Sequence, residues 1–168
     1  MGGAGCGASY AGALCAAIAL TSCSGAASAP GGGTAAMASG DTTIGCASDP
    51  RADAYRANLT KVGASGLLTF VLVASVPAPP AIDDNTWQIS VLDSNGTAVE
   101  NATLSSIRTW MPDHGHGSPE IPMASPNPDG TYTVQPLYFF MNGLWQVTFN
   151  AQAGAVSDAA TFSFCIGG

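Results

Sequence analysis

Two histidines separated by one residue are the side chains of this sequence best suited to chemistry. His114 and His116 are its only histidines, and they lie in the string Trp110-Met-Pro-Asp-His-Gly-His-Gly117. In an extended backbone, residues two apart face the same side, so both imidazoles can address one ion. The glycines that flank His116 allow backbone conformations that other residues resist. This spacing predicts a two-imidazole site for a metal ion.

Three methionines strengthen that prediction and narrow the choice of metal. Met111 lies in the same string, Met123 follows shortly after it, and Met141 lies in a later turn. Imidazole binds zinc, copper and nickel, whereas a thioether adds a preference for a soft ion, chiefly Cu(I). The sequence therefore predicts a copper ion as cofactor, with these ligands: His114, His116, Met111, Met123 and Met141. Asp113 is either a further ligand or an acceptor for an imidazole N–H.

A structural interpretation of the same residues stands beside the copper hypothesis. Imidazoles can hydrogen-bond backbone carbonyls where strands end, and methionines often fill gaps in a core. The alternative function is then a non-catalytic protein-interaction or structural domain, with Trp110, Tyr138 and Phe139 forming a surface for a protein partner. The two hypotheses differ in whether both imidazoles and a methionine sulfur converge on one point.

Composition and charge argue against two other classes of function. The chain has 4 Lys and Arg against 11 Asp and Glu, a formal net charge of −7. The sequence offers no basic stripe to neutralise phosphates, so nucleic acid is not an expected partner.

Ser118 follows His116 and Asp113, but the sequence gives no sign of an oriented base or an oxyanion hole. We therefore expect that the protein is not an enzyme.

The amino-terminal residues have the features of an export signal. Residues 11–20 form an apolar run that is well short of the ~20 residues needed to span a membrane. The run leads into Leu20-Thr-Ser-Cys23, which resembles the bacterial lipobox, whose cysteine receives a lipid. An ordinary Ala-rich stretch with an incidental cysteine is the alternative.

Three expectations follow from the export signal. Residues 1–22 are a lipoprotein signal peptide, Cys23 is the lipidated residue, and 23–43 form a flexible tether rich in Gly, Ala and Ser. The protein is then anchored by lipid in the bacterial cell envelope. Ser24, next to the lipidated cysteine, favours the periplasmic face of the outer membrane.

Five cysteines divide between the leader and the domain. Cys6 and Cys15 lie in the predicted signal peptide and Cys23 is the predicted lipid site, which leaves Cys46 and Cys165. In an oxidising compartment such a pair most simply forms a disulfide. Thiolate metal ligands or a redox couple are the alternative, but they favour closely spaced cysteines such as Cys-x-x-Cys. We expect a structural disulfide.

Short apolar runs separated by turn signals predict an all-β domain over 44–168. Seven runs are rich in β-branched and aromatic residues: 66–76, 86–93, 102–110, 131–134, 137–140, 144–149 and 160–165. Residues 111–128 are expected to be irregular, and 50–58 to form a short peripheral helix. The pattern predicts an immunoglobulin-like antiparallel β-sandwich of about seven strands.

Several strings in the domain resemble one known family. They are Trp87, Asp93-Ser-Asn-Gly-Thr-Ala-Val99, Met111-Pro-Asp-His-Gly-His-Gly117, Asp129-Gly-Thr-Tyr132 and Phe140-Met-Asn-Gly-Leu-Trp145. Together they resemble the YtkA-like domain, which is related to the FixH-like proteins. The resemblance covers about Gly66 to Phe164, and the histidine string is its most specific part. It implies an immunoglobulin-like sandwich in exported or membrane-attached bacterial proteins, and FixH-like members are associated with copper supply to terminal oxidases.

Overall fold

A computed structural model describes residues 45–167 of the chain. The predicted signal peptide at 1–22, the lipid site Cys23 and the tether at 23–43 lie outside the described residues. The strands within 45–167 are β1 (Leu59–Val62), β2 (Thr69–Val76), β3 (Asp83–Leu92), β4 (Thr103–Met111), β5 (His116–Gly117), β6 (Met123–Pro126), β7 (Tyr132–Phe139), β8 (Gly143–Ala153) and β9 (Val156–Ile166). A 3-10 turn at Cys46–Ser48 precedes them, and no helix in this part of the chain is long and apolar enough to cross a membrane.

The strands form two antiparallel sheets. One sheet has the order β1-β2-β3-β7-β6 and the other the order β5-β4-β8-β9. This arrangement confirms the predicted immunoglobulin-like β-sandwich, with nine strands in the described residues where about seven were expected. Two of the predicted runs form the single strand β7, and β1, β5 and β6 had no predicted counterpart.

A tryptophan at the centre of β3 organises the core. Trp87 and Ile89 are fully buried on one face of β3, and Trp145 and Phe149 are buried in the same way on β8. The ring of Trp87 meets the ring of Phe164 on β9 edge to face, with centroids 5.4 Å apart. Because β3 and β9 belong to different sheets, this aromatic contact joins the two layers.

The stretch from 111 to 128 is irregular only in part, because it contains the strands β5 and β6, which were not expected. β5 pairs with the end of β4, and β6 pairs with β7 from Met123↔Gln135 to Pro126↔Tyr132. The strands β5 and β6 have two and four residues. Alternation of apolar and polar residues cannot become visible in runs this short, and both strands are defined by their long-range pairing.

Residues 50–58 form turns and irregular backbone, so the predicted helix was also wrong. The Asp53 N–H donates to the carbonyl of Ser163 on β9, and the Ser163 N–H donates to Asp53 Oδ2. Tyr55 packs edge to face on Phe164, with centroids 5.9 Å apart. These contacts hold the segment along β9, and such tertiary contacts override a weak helical pattern.

A disulfide and a buried carboxylate each join β9 to the first part of the domain. Cys46 is bonded to Cys165, the pairing that the cysteine count predicts, across a sequence separation of 119. The buried Asp158 carboxylate accepts four backbone N–H groups, those of Ser65, Leu67, Leu68 and Ala159. Burial acts to raise the pKa of Asp158, but these hydrogen bonds outweigh it and lower the pKa to about 2.

Candidate metal site

The histidine string forms the tight turn between β4 and β5. The Met111 carbonyl accepts the N–H groups of His114 (3.3 Å) and Gly115 (2.9 Å). Gly115 has a φ of +69°, in the left-handed region that favours glycine. A Cβ on Gly117 would lie 2.5 Å from the carbonyl oxygen of Thr109. Both glycines are therefore required to close the turn.

His114 lies in this turn and not in the extended backbone that the spacing argument assumes. Met111 and His116 are directly opposite each other in the β4–β5 ladder. Opposite residues in an antiparallel ladder project from the same face, with Cβ atoms about 4.5 to 5.5 Å apart. Met111 is fully buried, His116 is half-buried and His114 is exposed. The turn, and not strand alternation, brings the second imidazole beside the first.

A glycine from a distant turn meets this hairpin. Gly143 begins β8 with a φ of +136°. A Cβ built on it would lie 2.6 Å from Met111 Cε and 3.9 Å from His114 Nε2. The thioether methyl of Met111 and a ring nitrogen of His114 therefore border the same small space above Gly143. Its missing side chain keeps that space open.

The two imidazoles have a separation that suits a shared ion. Their ring centroids are 5.7 Å apart, with an interplanar angle of 54°. With metal–nitrogen bonds of about 2.0 to 2.1 Å, two imidazoles on one ion hold their centroids roughly 5 to 6 Å apart. The observed centroid separation of 5.7 Å falls within that range. His116 Nδ1 lies 3.4 Å from the Gly117 carbonyl oxygen, which favours a proton on Nδ1 and a free lone pair on Nε2.

An aromatic side chain covers one face of His116. The Phe140 ring stacks on the imidazole with centroids 5.5 Å apart and an interplanar angle of 25°. Phe140 also stacks on Tyr138 and meets Trp145 edge to face. Trp145 Nε1–H donates to the Met141 carbonyl at 2.9 Å, which fixes the turn that carries Phe140. Phe140 and Trp145 therefore form an apolar surface beside the imidazole, called the apolar wall below.

The remaining two methionines lie in different surroundings. Met141 is half-buried in the β7–β8 turn, next to Phe140, and packs against the core. Met123 lies on the edge strand of the other sheet and is 69% exposed. It lines a surface groove of about 350 Å³ with Asp84, Asn85, Thr86, Ser125, Gln135 and Pro136, and neither histidine lines that groove.

Asp113, the carboxylate of the histidine string, is bound by Arg51 from the start of the domain. Arg51 Nη1 and Nη2 donate to the two carboxylate oxygens of Asp113, each at 2.8 Å. Asp49 holds the other side of the same guanidinium. Side-chain hydrogen bonding from Arg51 lowers the pKa of Asp49 to about 2, and the two carboxylates raise the pKa of Arg51. Both oxygens of Asp113 are therefore engaged.

Three residues of this site were not predicted: Arg51, Phe140 and Gly143. Phe140 and Gly143 belong to the string Phe140-Met-Asn-Gly-Leu-Trp145, so their signal was present in the family resemblance. Arg51 lies 62 residues from Asp113 along the chain. No local pattern can reveal a partner at that distance.

The surface suggested for a protein partner is only partly exposed. Phe139, assigned to that surface from the sequence, is fully buried, whereas Phe140 is 40% exposed. A register shift in the pairing of β3 with β7 changes which residues of β7 face the core. Trp110 is half-buried beneath the guanidinium of Arg108, which lies 3.9 Å from the ring centroid.

Within residues 45–167 no group of three or more His, Cys, Asp or Glu side chains is placed to hold a metal ion. A site built from two imidazoles and thioethers does not contain such a group.

The fold and this hairpin define a small β-sandwich domain with a His/Met cluster at one end. The family model of the YtkA-like domain matches residues 64–150, more than half of the chain. The chain therefore belongs to the YtkA-like family. No curated protein matches it.

One solved structure with a similar chain is a copper-bound variant of FetP from uropathogenic Escherichia coli strain F11. The two chains are 14% identical, with 70% of this chain and 96% of that chain covered and a TM-score of 0.41. A likeness of this degree carries no argument about the ligand of this chain.

Proposed function

We propose that this domain is a copper-binding module, with His114, His116 and Met111 as ligands and Met141, in the β7–β8 turn, as a further thioether ligand. The observation that carries the proposal is the convergence above Gly143 of Met111 Cε and His114 Nε2, with His116 directly opposite Met111. Two imidazoles and a thioether are a ligand set suited to copper. Met123, on the other sheet, is not part of the proposed set.

The proposed activity is binding and delivery of the ion. His114 is exposed while Met111 is fully buried, so the site has one side open to solvent and one side in the core. An acceptor protein can reach the ion from the His114 side. The buried thioether and the Phe140 wall hold the other ligands in place. These residues bind and orient the ion, and no catalytic step is involved.

The experiment is a titration of Cu(I) and Cu(II) into the purified full chain, beside a His114→Ala/His116→Ala double variant. We expect one copper ion per chain for the wild type and none for the variant. Met123→Leu is the control, because it removes an exposed thioether outside the proposed site. Equal copper uptake by wild type and double variant would reject the site.

We also propose that the protein is anchored by lipid at Cys23, at the periplasmic face of the outer membrane. The support for this proposal is the lipobox-like string Leu20-Thr-Ser-Cys23 and the Ser at position 24. Labelling of cells with a radioactive fatty acid tests it, followed by separation of inner and outer membranes. The lipid label should appear on the wild type and be lost in Cys23→Ala. An unlabelled wild-type chain would exclude the anchor without affecting the copper proposal.

A protein-interaction function is the second candidate, favoured by one observation. Ile121 and Met123, in the segment that follows the hairpin, are 81% and 69% exposed. Exposed apolar side chains that lie together often mark a binding surface. Under this hypothesis Ile121→Ser/Met123→Ser weakens partner capture in crosslinking experiments on intact cells, while the two histidines can be replaced without effect.

A further inference from the structure

We propose that this site selects the monovalent ion Cu(I) over the dications Cu(II) and Zn(II). The inference rests on the proposed copper function and adds the oxidation state of the ion. Three properties of the site carry it: the sulfur ligand, the charge of the ligand set and the apolar wall.

The sulfur ligand lies on the buried side of the site. Met111 is fully buried, and its Cε lies against the space that also borders His114 Nε2. A thioether is a soft ligand that favours Cu(I), whereas imidazole alone binds Cu(II) and Zn(II) well. Because Met111 is fully buried in a close-packed core, its side chain has little room to change rotamer.

The ligand set carries no negative charge. Two neutral imidazoles and a thioether leave the full charge of the ion uncompensated, and the cost of moving an ion out of water rises steeply with its charge. The nearest carboxylate in the sequence, Asp113, has both oxygens bound by Arg51. It is therefore withheld from the metal. Moving a dication from water into such a site therefore costs more free energy than moving a monocation.

The apolar wall adds to the same preference. Phe140 stacks on His116, and Trp145 contacts Phe140 edge to face. An apolar shell excludes water from a metal site and lowers the local dielectric constant, which disfavours the more highly charged oxidation state. Phe140 is 40% exposed, so it can be replaced without opening the core.

The test measures four ions separately on the full chain: Cu(I) under anaerobic reducing conditions against a chromogenic Cu(I) chelator, Ag(I) as a soft monocation that does not change oxidation state, Cu(II) and Zn(II). We expect Cu(I) and Ag(I) to bind at least about tenfold more tightly than either dication. Cu(II) binding as tightly as Cu(I) would overturn the inference and leave the copper function standing. Absence of binding by copper in both oxidation states would remove the copper function itself.

Two variants separate the causes. Met111→Leu keeps the volume of the buried side chain and removes the sulfur, so Cu(I) and Ag(I) affinity should fall about tenfold while Cu(II) affinity changes little. Met123→Leu is the matched control and should change neither. Phe140→Ser, at an exposed position, should admit water and narrow the ratio of Cu(I) to Cu(II) affinity. A Met111→Leu variant that is folded by circular dichroism and still prefers Cu(I) would overturn the role of the sulfur. A Phe140→Ser variant with an unchanged ratio would overturn the role of the wall.

Discussion

Met111 and His116 lie directly opposite each other across the β4–β5 hairpin, so a buried thioether and an imidazole leave the same face of the strand pair. The turn between them places His114 beside His116, with ring centroids 5.7 Å apart. The string Met-Pro-Asp-His-Gly-His-Gly is therefore a single hairpin that brings one thioether and two imidazoles together. The β7–β8 turn, which carries Phe140 and Gly143, packs against that hairpin.

The first prediction concerns Gly143. In Gly143→Ala, the added methyl would lie 2.6 Å from Met111 Cε, at a φ of +136° that other residues rarely adopt. We expect copper affinity to fall about tenfold or more, and the free energy of unfolding to fall by about 1 to 3 kcal/mol because of the backbone strain. Isothermal titration and chemical denaturation measure the two effects.

Gly154→Ala is the matched control for Gly143→Ala. Gly154 also has a positive φ, +61°, but a Cβ there has no neighbour within 4 Å. The control should lose some stability and keep the copper affinity of the wild type. If both variants lose copper equally, the effect comes from general destabilisation and Gly143 does not shape the site.

The second prediction concerns acid stability. The folded-state pKa of Asp158 is lowered to about 2, from 3.8 for an ordinary aspartate. A lowered pKa contributes stability above pH ~4, and that contribution is lost as the pH falls from about 4 to about 2. Asp158→Asn cannot accept all four backbone N–H groups, so the free energy of unfolding at pH 7 should fall by roughly 2 to 3 kcal/mol.

The measurement is chemical denaturation of wild type and Asp158→Asn at pH 7, 4 and 2.5. The difference between the two proteins should shrink as the pH falls, since protonation removes the charge of the wild-type carboxylate. Asp129→Asn, in an exposed turn, is the control and should have a much smaller effect at pH 7. A difference of constant size across this range would rule out the buried charge as its origin.

Alternation along the longer strands made the sandwich predictable from the sequence. Trp87 and Ile89 are buried as the pattern of β3 indicates, and the spacing of His114 and His116 is visible in the sequence itself. Pairs that are distant in sequence were not predictable. The contact of Arg51 with Asp113 and the packing of Gly143 on Met111 depend on how separate turns come together. A two-residue strand such as β5 is likewise too short to carry a period.

The third prediction concerns the disulfide between Cys46 and Cys165. The bond closes a loop across a sequence separation of 119. The chain-entropy model credits a loop of ~100 residues with at most about 4.7 kcal/mol. Cys46→Ser/Cys165→Ser should therefore lower the free energy of unfolding by about 2 to 4 kcal/mol. Denaturation of the wild type with reductant should reproduce that loss, and reductant should leave the double variant unchanged. If reductant leaves the free energy of unfolding of the wild type unchanged, the bond has no structural role.

The last prediction concerns Arg51, which donates to both carboxylate oxygens of Asp113, the residue next to His114. Arg51→Gln breaks the bidentate contact and frees Asp113 as an anionic ligand, so Cu(II) and Zn(II) affinity should rise relative to Cu(I). Exposed ion pairs contribute about 0.2 to 1 kcal/mol, which corresponds to a change of roughly 1.4- to fivefold in the ratio. Asp113→Asn in the Arg51→Gln background removes the freed carboxylate and should restore the wild-type ratio. Lys61→Gln, which breaks the contact of Lys61 with Asp53 away from the hairpin, is the control and should change nothing. If Arg51→Gln weakens all four ions equally, Arg51 acts only by stiffening the hairpin and not by withholding Asp113.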